Sequence, residues 1–306
     1  MSKLVECIPN FSVSREKDPD TFQALLDTAS SVPGCALIDA QSDANHNRCV
    51  LTLVGSPEAV GEAAFRLTRT AAERIDMRTH TGQHPRMGAT DVIPFVPQTN
   101  DVSLAECVEL SRKVAQRIWD ELQIPSFLYE DSATRPERRN LATCRKGQFE
   151  GMPEKLLEPD WAPDFGERRI HPTAGITAIG ARMPLVAFNV NLDMPDLEIA
   201  RKIAKAIRAS SGGFAACKAI GVKLEERGIA QVSMNMVNYE LTPLYYTYEM
   251  IRVLAERYGA HIIGSELVGT APAKALLDCA EFYLKLENFH CFDQITEYHL
   301  LDLSEN

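Results

Sequence analysis

The sequence predicts an α/β chain, α+β in the wider sense, made of two subdomains of split βαβ, ferredoxin-like type. Three observations carry this. Strand and helix signals come in the order strand–helix–strand–strand–helix–strand, and that order occurs twice. A long irregular stretch, residues 131–183, separates the two runs. A chain of 306 residues with 45% hydrophobic and 24% charged side chains can bury a core in each half. The boundary falls near Arg182, giving subdomains 1–182 and 183–306.

Leu4 to Ile8 is the first strand. Asp18 to Ser31 follows with helical apolar spacing through Phe22, Leu25, Leu26 and Ala29, and Val32-Pro33-Gly34 stops it. Cys35 to Ala40 and Arg48 to Val54 are strands joined by a polar loop. Pro57 to Ile75 is a long helix with Ser56 as N-cap. Asp91 to Val96, the helix Ser103 to Leu122 and the strand Ser126 to Tyr129 complete this half. In the second half, Pro184 to Asn191 is a strand and Pro195 to Ser210 a basic helix. Lys218 to Leu224 and Ala230 to Val237 are strands, followed by the helix Pro243 to Tyr258. The strand His261 to Gly264 and the helix Ala273 to Leu286 come next.

The formal net charge of −10 argues against nucleic acid or an anionic membrane as the main partner, while leaving room for an Arg-lined cleft. No apolar run is long enough to span a bilayer. Eight cysteines are scattered singly with no C-x-x-C pair, and no signal peptide is read at Met1-Ser2-Lys3. The expectation is a soluble cytoplasmic protein with reduced thiols.

The chemistry concentrates in Thr79-His80-Thr81-Gly82-Gln83-His84-Pro85-Arg86-Met87-Gly88-Ala89, between a helix and a strand. Gly82 and Pro85 keep its two histidines off one regular helix, so the backbone shape is set for side chains on a loop held by rigid elements. The plainer alternative is a helix end with a solvated His. His84, fixed by Pro85, suits proton transfer at neutral pH, with an ordinary pKa of about 6.5. Asp43-Ala44-Asn45-His46-Asn47-Arg48 is a second cluster, again just before a strand. Asp43 can orient a histidine, and Asn47 and Arg48 can clamp a carboxylate, which for Arg48 is that of a substrate or of Asp43. Asp and Asn also favour hairpin loops on their own account. Arg86 and His80 complete the candidate support and substrate-binding set.

A metal held by His80 and His84, with His46 or Asp91 third, is disfavoured because Gly82 and Pro85 break the helical H-x-x-x-H geometry. A third segment, Asp160 to Gly175, mixes aromatics, arginines and glycines in extended backbone. It suits a flat heteroaromatic ligand with anionic ends, or else a domain-joining loop pinned by its own rings. No phosphate loop and no G-x-S-x-G elbow occurs, and no thiol shows local activation.

Seven colinear segments resemble the formiminotransferase domain of formiminotransferase-cyclodeaminase: Val5 to Ser12, Gln83 to Ala89, Asp160 to Gly166, Gly180 to Arg182, Ala187 to Leu192, Ala230 to Ser233 and Gly264 to Gly269. The resemblance implies a stand-alone glutamate formiminotransferase. Such an enzyme moves a formimino group between N-formimino-L-glutamate and N5 of tetrahydrofolate in histidine breakdown, with tetrahydrofolate as co-substrate and no metal. It implies sheets forming a double layer with helices outside, a tunnel, and a homodimer. It maps the catalytic histidine onto His84. Folate contacts map onto Gly166, Glu167, Arg168, Arg169, Ile170, His171, Pro172, Thr173, Ala174 and Gly175. His171 to Gly175 departs from the mammalian pattern, as does the loop Asp43 to Arg48 apart from Asn47-Arg48. No cyclodeaminase domain follows, so a separate cyclodeaminase is implied. Glycine as acceptor, conversion of 5-formyltetrahydrofolate, and a non-catalytic folate-binding module are the competing readings.

Overall fold

In the computed structural model, which describes residues 3–99 and 101–303, the chain divides into two compact units, Met1–Arg182 and Met183–Asn306. Residues 1–2 and 304–306, the outer ends of the expected subdomains, lie outside the described residues.

The first unit begins with one broken strand, β1 (Val5–Cys7) and β2 (Asn10–Phe11). The break is at Pro9, which has no N–H to give the ladder, although its carbonyl still accepts from Leu51 N at 3.1 Å. Helix α1 (Pro19–Ser30) is capped by the Asp18 carboxylate on Thr21 N. Then come β3 (Cys35–Asp43), β4 (Arg48–Gly55), α2 (Pro57–Arg74) and β5 (Thr90–Pro97). β4 and β5 both pair antiparallel with the β1–β2 strand, and β3 pairs antiparallel with β4. This is the split βαβ order. Helix α2 carries the expected Ser56 cap, and α3 (Leu104–Leu122) opens with a reciprocal Ser103–Glu106 capping box.

The sheet then extends beyond that unit. β6 (Ser126–Glu130) is the outer strand, and β7 (Thr177–Ala181) fits between β5 and β6, parallel to both. The sequence reading left β7 inside an irregular stretch. All five of its residues are buried, so it lacks the alternation that marks a half-exposed strand. The same stretch holds two short helices, α4 (Leu141–Arg145) and α5 (Gln148–Lys155). They cover the sheet through a small cluster that includes Met87, Phe127, Cys144, Met152 and Ile176. Helices α1, α2 and α3 pack on the main core, around Phe11, Phe65, Leu53 and Phe95.

The second unit runs β8 (Val186–Leu192), α6 (Leu197–Ile207), β9 (Cys217–Leu224), β10 (Ile229–Met236), α7 (Leu244–Arg257) and β11 (Ile262–Val268). Its sheet order is β11-β8-β10-β9, antiparallel throughout, the same split βαβ arrangement. Val190, Ile203, Val232 and Ile251 sit in its core, and α8 (Ala273–Leu284) adds Ala275. All eight cysteines are free. Among the described residues, no helix is long and apolar enough to cross a membrane.

Candidate active site

The two loops singled out in the sequence meet at one end of the first sheet. The β3–β4 loop reaches the turn that precedes β5, and backbone and side-chain hydrogen bonds stitch the two together. Gln83 N donates to Asn45 O at 3.1 Å, and Asn47 Nδ2 donates to Thr81 O at 3.0 Å. Asn47 holds a left-handed backbone (φ 49°) and accepts from Ser14 N at 3.1 Å, so it ties three segments. Gly82 lies so close that an added Cβ would collide with the His46 carbonyl oxygen. We therefore expect Gly82→Ala to push the loops apart. A displacement of about 1 Å at a reacting group can cost ~10²-fold in kcat. The overpacking should also cost about 1–3 kcal/mol and lower the melting temperature by several degrees, and steady-state kinetics beside thermal melts check this.

His84 stands half-buried in this junction. Its Nδ1 is buried without a hydrogen-bond partner. Burial, reinforced by the positive charges of Arg48 and Arg145, pushes its pKa down to about 4. The ring is therefore neutral at pH 7 and able to accept a proton. His46 lies edge-on to it, the ring centroids 5.7 Å apart. The Asp43 carboxylate is 3.0 Å from His46 Nδ1 and also accepts from the backbone N–H groups of Asn45 and His46. Those backbone donors, chiefly that of His46, hold Asp43 below the usual carboxylate range.

Arg48 and Asp43 are cross-strand partners in the β3–β4 ladder, yet their side chains part. Arg48 Nε donates to the amide oxygen of Asn10 at 3.0 Å, and Nη2 reaches the same atom. Among the described residues Arg48 has no ion-paired carboxylate, whereas the sequence reading had offered Asp43 or a substrate. The Asp43 oxygens are already engaged by its own loop. Burial and the neighbouring Arg145 charge push the Arg48 pKa down.

Behind this layer sits a brace. Arg86, 8% exposed, donates to Glu150, Gln148, the His80 carbonyl and His80 Nδ1. Because Nδ1 accepts from Arg86, His80 donates through Nε2 to Asn47 O at 3.0 Å. Both rings of the H-x-x-x-H pair thus have separate surroundings. Asp91 accepts from Met87 N at 2.9 Å and pairs with Arg145, whose Nε is 2.8 Å away. Among the described residues, no group of three or more His, Cys, Asp or Glu is placed to hold a metal ion.

The segment Gly166 to Gly175 runs along the same end of the sheet, from the start of β6 towards β5. Gly166 (φ 104°) packs on Trp119 and Pro125, and a side chain there would clash with both. Gly175 (φ 74°) packs on the Met87 carbonyl, and Gly88 and Gly175 form an antiparallel bridge. The end of the segment therefore abuts the His84 turn. His171 Nδ1 accepts from Ala174 N at 3.0 Å, and burial pushes its pKa down. Ile170 packs into the core, Pro172 is exposed, and the Thr173 carbonyl takes the Met77 N–H. Glu167, Arg168 and Arg169 are exposed, with Glu167 and Arg169 paired to each other.

The sequence reading missed Asn10, Arg145, Gln148 and Glu150. Asn10 stood in a quoted motif, but nothing there indicated a partner for Arg48. The other three lie in short helices without periodic signal.

Two clefts open here. One, of about 240 Å³, is lined by Gln41, Ser42, Asp43, His46, Arg48 and Val50. His46 and Arg48 also line the inner pocket that holds His84. The second, of about 550 Å³, lies between Pro85 and the α4–α5 junction and includes Arg145 and Lys146.

Comparison with known proteins matches residues 4–182 to the formiminotransferase domain, N-terminal subdomain, and residues 187–303 to the formiminotransferase domain. The chain belongs to the formiminotransferase family. It is 63% identical to a glutamate formimidoyltransferase of Streptococcus pyogenes serotype M1, over 98% of this chain and 100% of the relative. Identity to a glutamate formimidoyltransferase of Thermoplasma acidophilum is 44%, covering 94% of each chain. The formimidoyltransferase-cyclodeaminase of Gallus gallus is also 44% identical, over 96% of this chain but 55% of the relative. As a member of the formiminotransferase family the chain is a transferase, and the paired histidine loops lie within its N-terminal match.

Proposed function

We propose that the chain is a glutamate formimidoyltransferase, moving the formimino group between N-formimino-L-glutamate and N5 of tetrahydrofolate, with His84 as general acid/base. The observation that carries this is His84 itself: a neutral imidazole, half-buried under the positive charges of Arg48 and Arg145, packed edge-on against the His46 that lines the neighbouring cleft. N5 attacks the amidine carbon, and His84 takes the N5 proton. The imidazolium then returns it to the glutamate nitrogen as that carbon–nitrogen bond breaks. The Arg48 guanidinium, steadied by Asn10 on one edge, holds a substrate carboxylate with its open edge. Arg86 and His80 support the turn, and the Gly166 to Gly175 segment takes the folate ring system. The two curated relatives of similar length carry the name of this activity. The same reading places the enzyme in histidine degradation in the cytoplasm, as a homodimer that passes its product to a separate cyclodeaminase.

Turnover measured side by side with formiminoglutamate, formiminoglycine and 5-formyltetrahydrofolate tests the substrate. Preference for either of the latter two sinks the glutamate assignment, and tight folate binding without any turnover favours a binding module. Arg48→Lys is expected to raise KM for formiminoglutamate roughly tenfold, because an ammonium cannot reproduce the guanidinium fork. Folate KM and the melting temperature should stay near wild type. A loss spread over both substrates together with a lower melting temperature gives Arg48 a structural role instead.

A further inference from the structure

We infer that His46, oriented by Asp43, carries the net proton of the transfer reaction between solvent and the amino-acid nitrogen. The inference rests on the function proposed above and begins from its proton balance. At neutral pH formiminoglutamate enters as an amidinium and N5 of tetrahydrofolate is neutral. The products are an amidinium on N5 and free glutamate, whose α-amine is held as an ammonium below its pKa. One proton more is bound on the product side. His84 cannot supply it, because the proton it gives the departing nitrogen is the one it took from N5. The new carbon–N5 bond forms and the old carbon–nitrogen bond breaks with glutamate leaving as a neutral amine. A second proton then converts that amine to the ammonium. In the reverse direction the same proton must leave the ammonium before its nitrogen can attack.

His46 is built for this transfer. Its Nδ1 faces the Asp43 carboxylate at 3.0 Å, which sets the tautomer and leaves Nε2 for exchange. Its side chain is 45% exposed, so water can recharge it. It lines the outer cleft, and its ring packs edge-on against His84 at 5.7 Å in the close-packed junction behind it, so it touches solvent on one side and the His84 ring on the other. The charged groups around the pair come from every packed element. They are Glu16 before α1, Asp43 on β3, Arg48 on β4, His80 and Arg86 on the turn before β5, Asp91 on β5 and Arg145 on α4. Of these, only Asp43 bonds the His46 ring.

The test compares wild type, His46→Gln and Asp43→Asn with formiminoglutamate and tetrahydrofolate, with and without added imidazole. His46→Gln should lose about 10²-fold in kcat with both KM values within about twofold, and lose the wild-type alkaline limb of the pH profile. Imidazole should restore part of the rate in proportion to its imidazolium fraction, because the cleft is open. Asp43→Asn should lose less and respond less to imidazole. A His46→Gln enzyme with wild-type kcat and pH profile overturns the inference and leaves the proposed function standing. So does a slowed variant that imidazole cannot rescue. A wild-type protein that turns over none of this substrate overturns both.

Discussion

Replacing His84 by alanine is expected to lower kcat by ~10²–10⁴-fold while folate affinity changes far less. The side chain stands at a loop junction and makes no hydrogen bond through Nδ1, so its removal breaks no structural contact of that kind. An isothermal folate-binding measurement beside steady-state kinetics separates the two effects. Near-normal kcat in the variant removes His84 from the chemistry and turns attention to His46. The pH dependence follows from the same surroundings. His84 has a folded pKa of about 4, below the ordinary value of about 6.5. Between these values the unfolded chain binds the proton and the folded one does not. The stability difference at this residue is therefore intact above pH ~6.5 and is lost as the pH falls towards 4. In an NMR titration the His84 ring should stay neutral well below pH 6, and Arg48→Met should raise its midpoint by removing a nearby positive charge.

The largest expected loss of stability lies at Asp164, in the motif Asp160 to Gly166. Its carboxylate pairs with Arg138, accepts from Thr134 Oγ1, and accepts from Leu128 N at 2.7 Å. The Arg138 side chain is 1% exposed and the Asp164 side chain 7%. Arg138 also donates to the carbonyls of Asp160 and Ala162 and lies over the Phe127 ring. Asp164→Ala leaves a guanidinium buried without its counter-charge, which costs ~3–5 kcal/mol. For a unit of this size that is a fall in melting temperature of roughly 10 °C. Replacing both partners with apolar residues of similar volume should recover much of the loss, since no lone buried charge remains. Thermal melts of the single and double variants decide it, and a single variant that melts as wild type shows the pair to be dispensable. The activity per folded molecule should survive, which separates this clamp from the His84 chemistry.

Helices with strong caps and wide apolar faces were legible without a structure: α1, α2 and α3 begin within a residue of where Asp18, Ser56 and Ser103 place them. Strands of the two split βαβ units were legible too, as short runs of branched and aromatic apolar residues, even where, as in β5, both faces are buried. β7 and α4–α5 were not. A short, wholly buried strand and helices of five and eight residues carry too few residues to show a period. The two histidine loops stood out in the chain because Gly, Pro, Asn and His cluster there.

What the sequence by itself determined is the order of elements, the twofold unit and the residues that could carry chemistry, since these depend on local pattern and side-chain type. What only the tertiary structure decided is which of those residues meet and in what state. Residues 46 and 84 stand 38 positions apart, yet their rings are 5.7 Å from each other, because pairing across β4, β2 and β5 brings the two loops to one sheet end. Arg48 meets Asn10, not Asp43, and His84 is neutral because it is buried beside arginines from β4 and α4. Long-range pairing fixes distance and desolvation, and those two quantities set the partners of a charge and the pKa of a base.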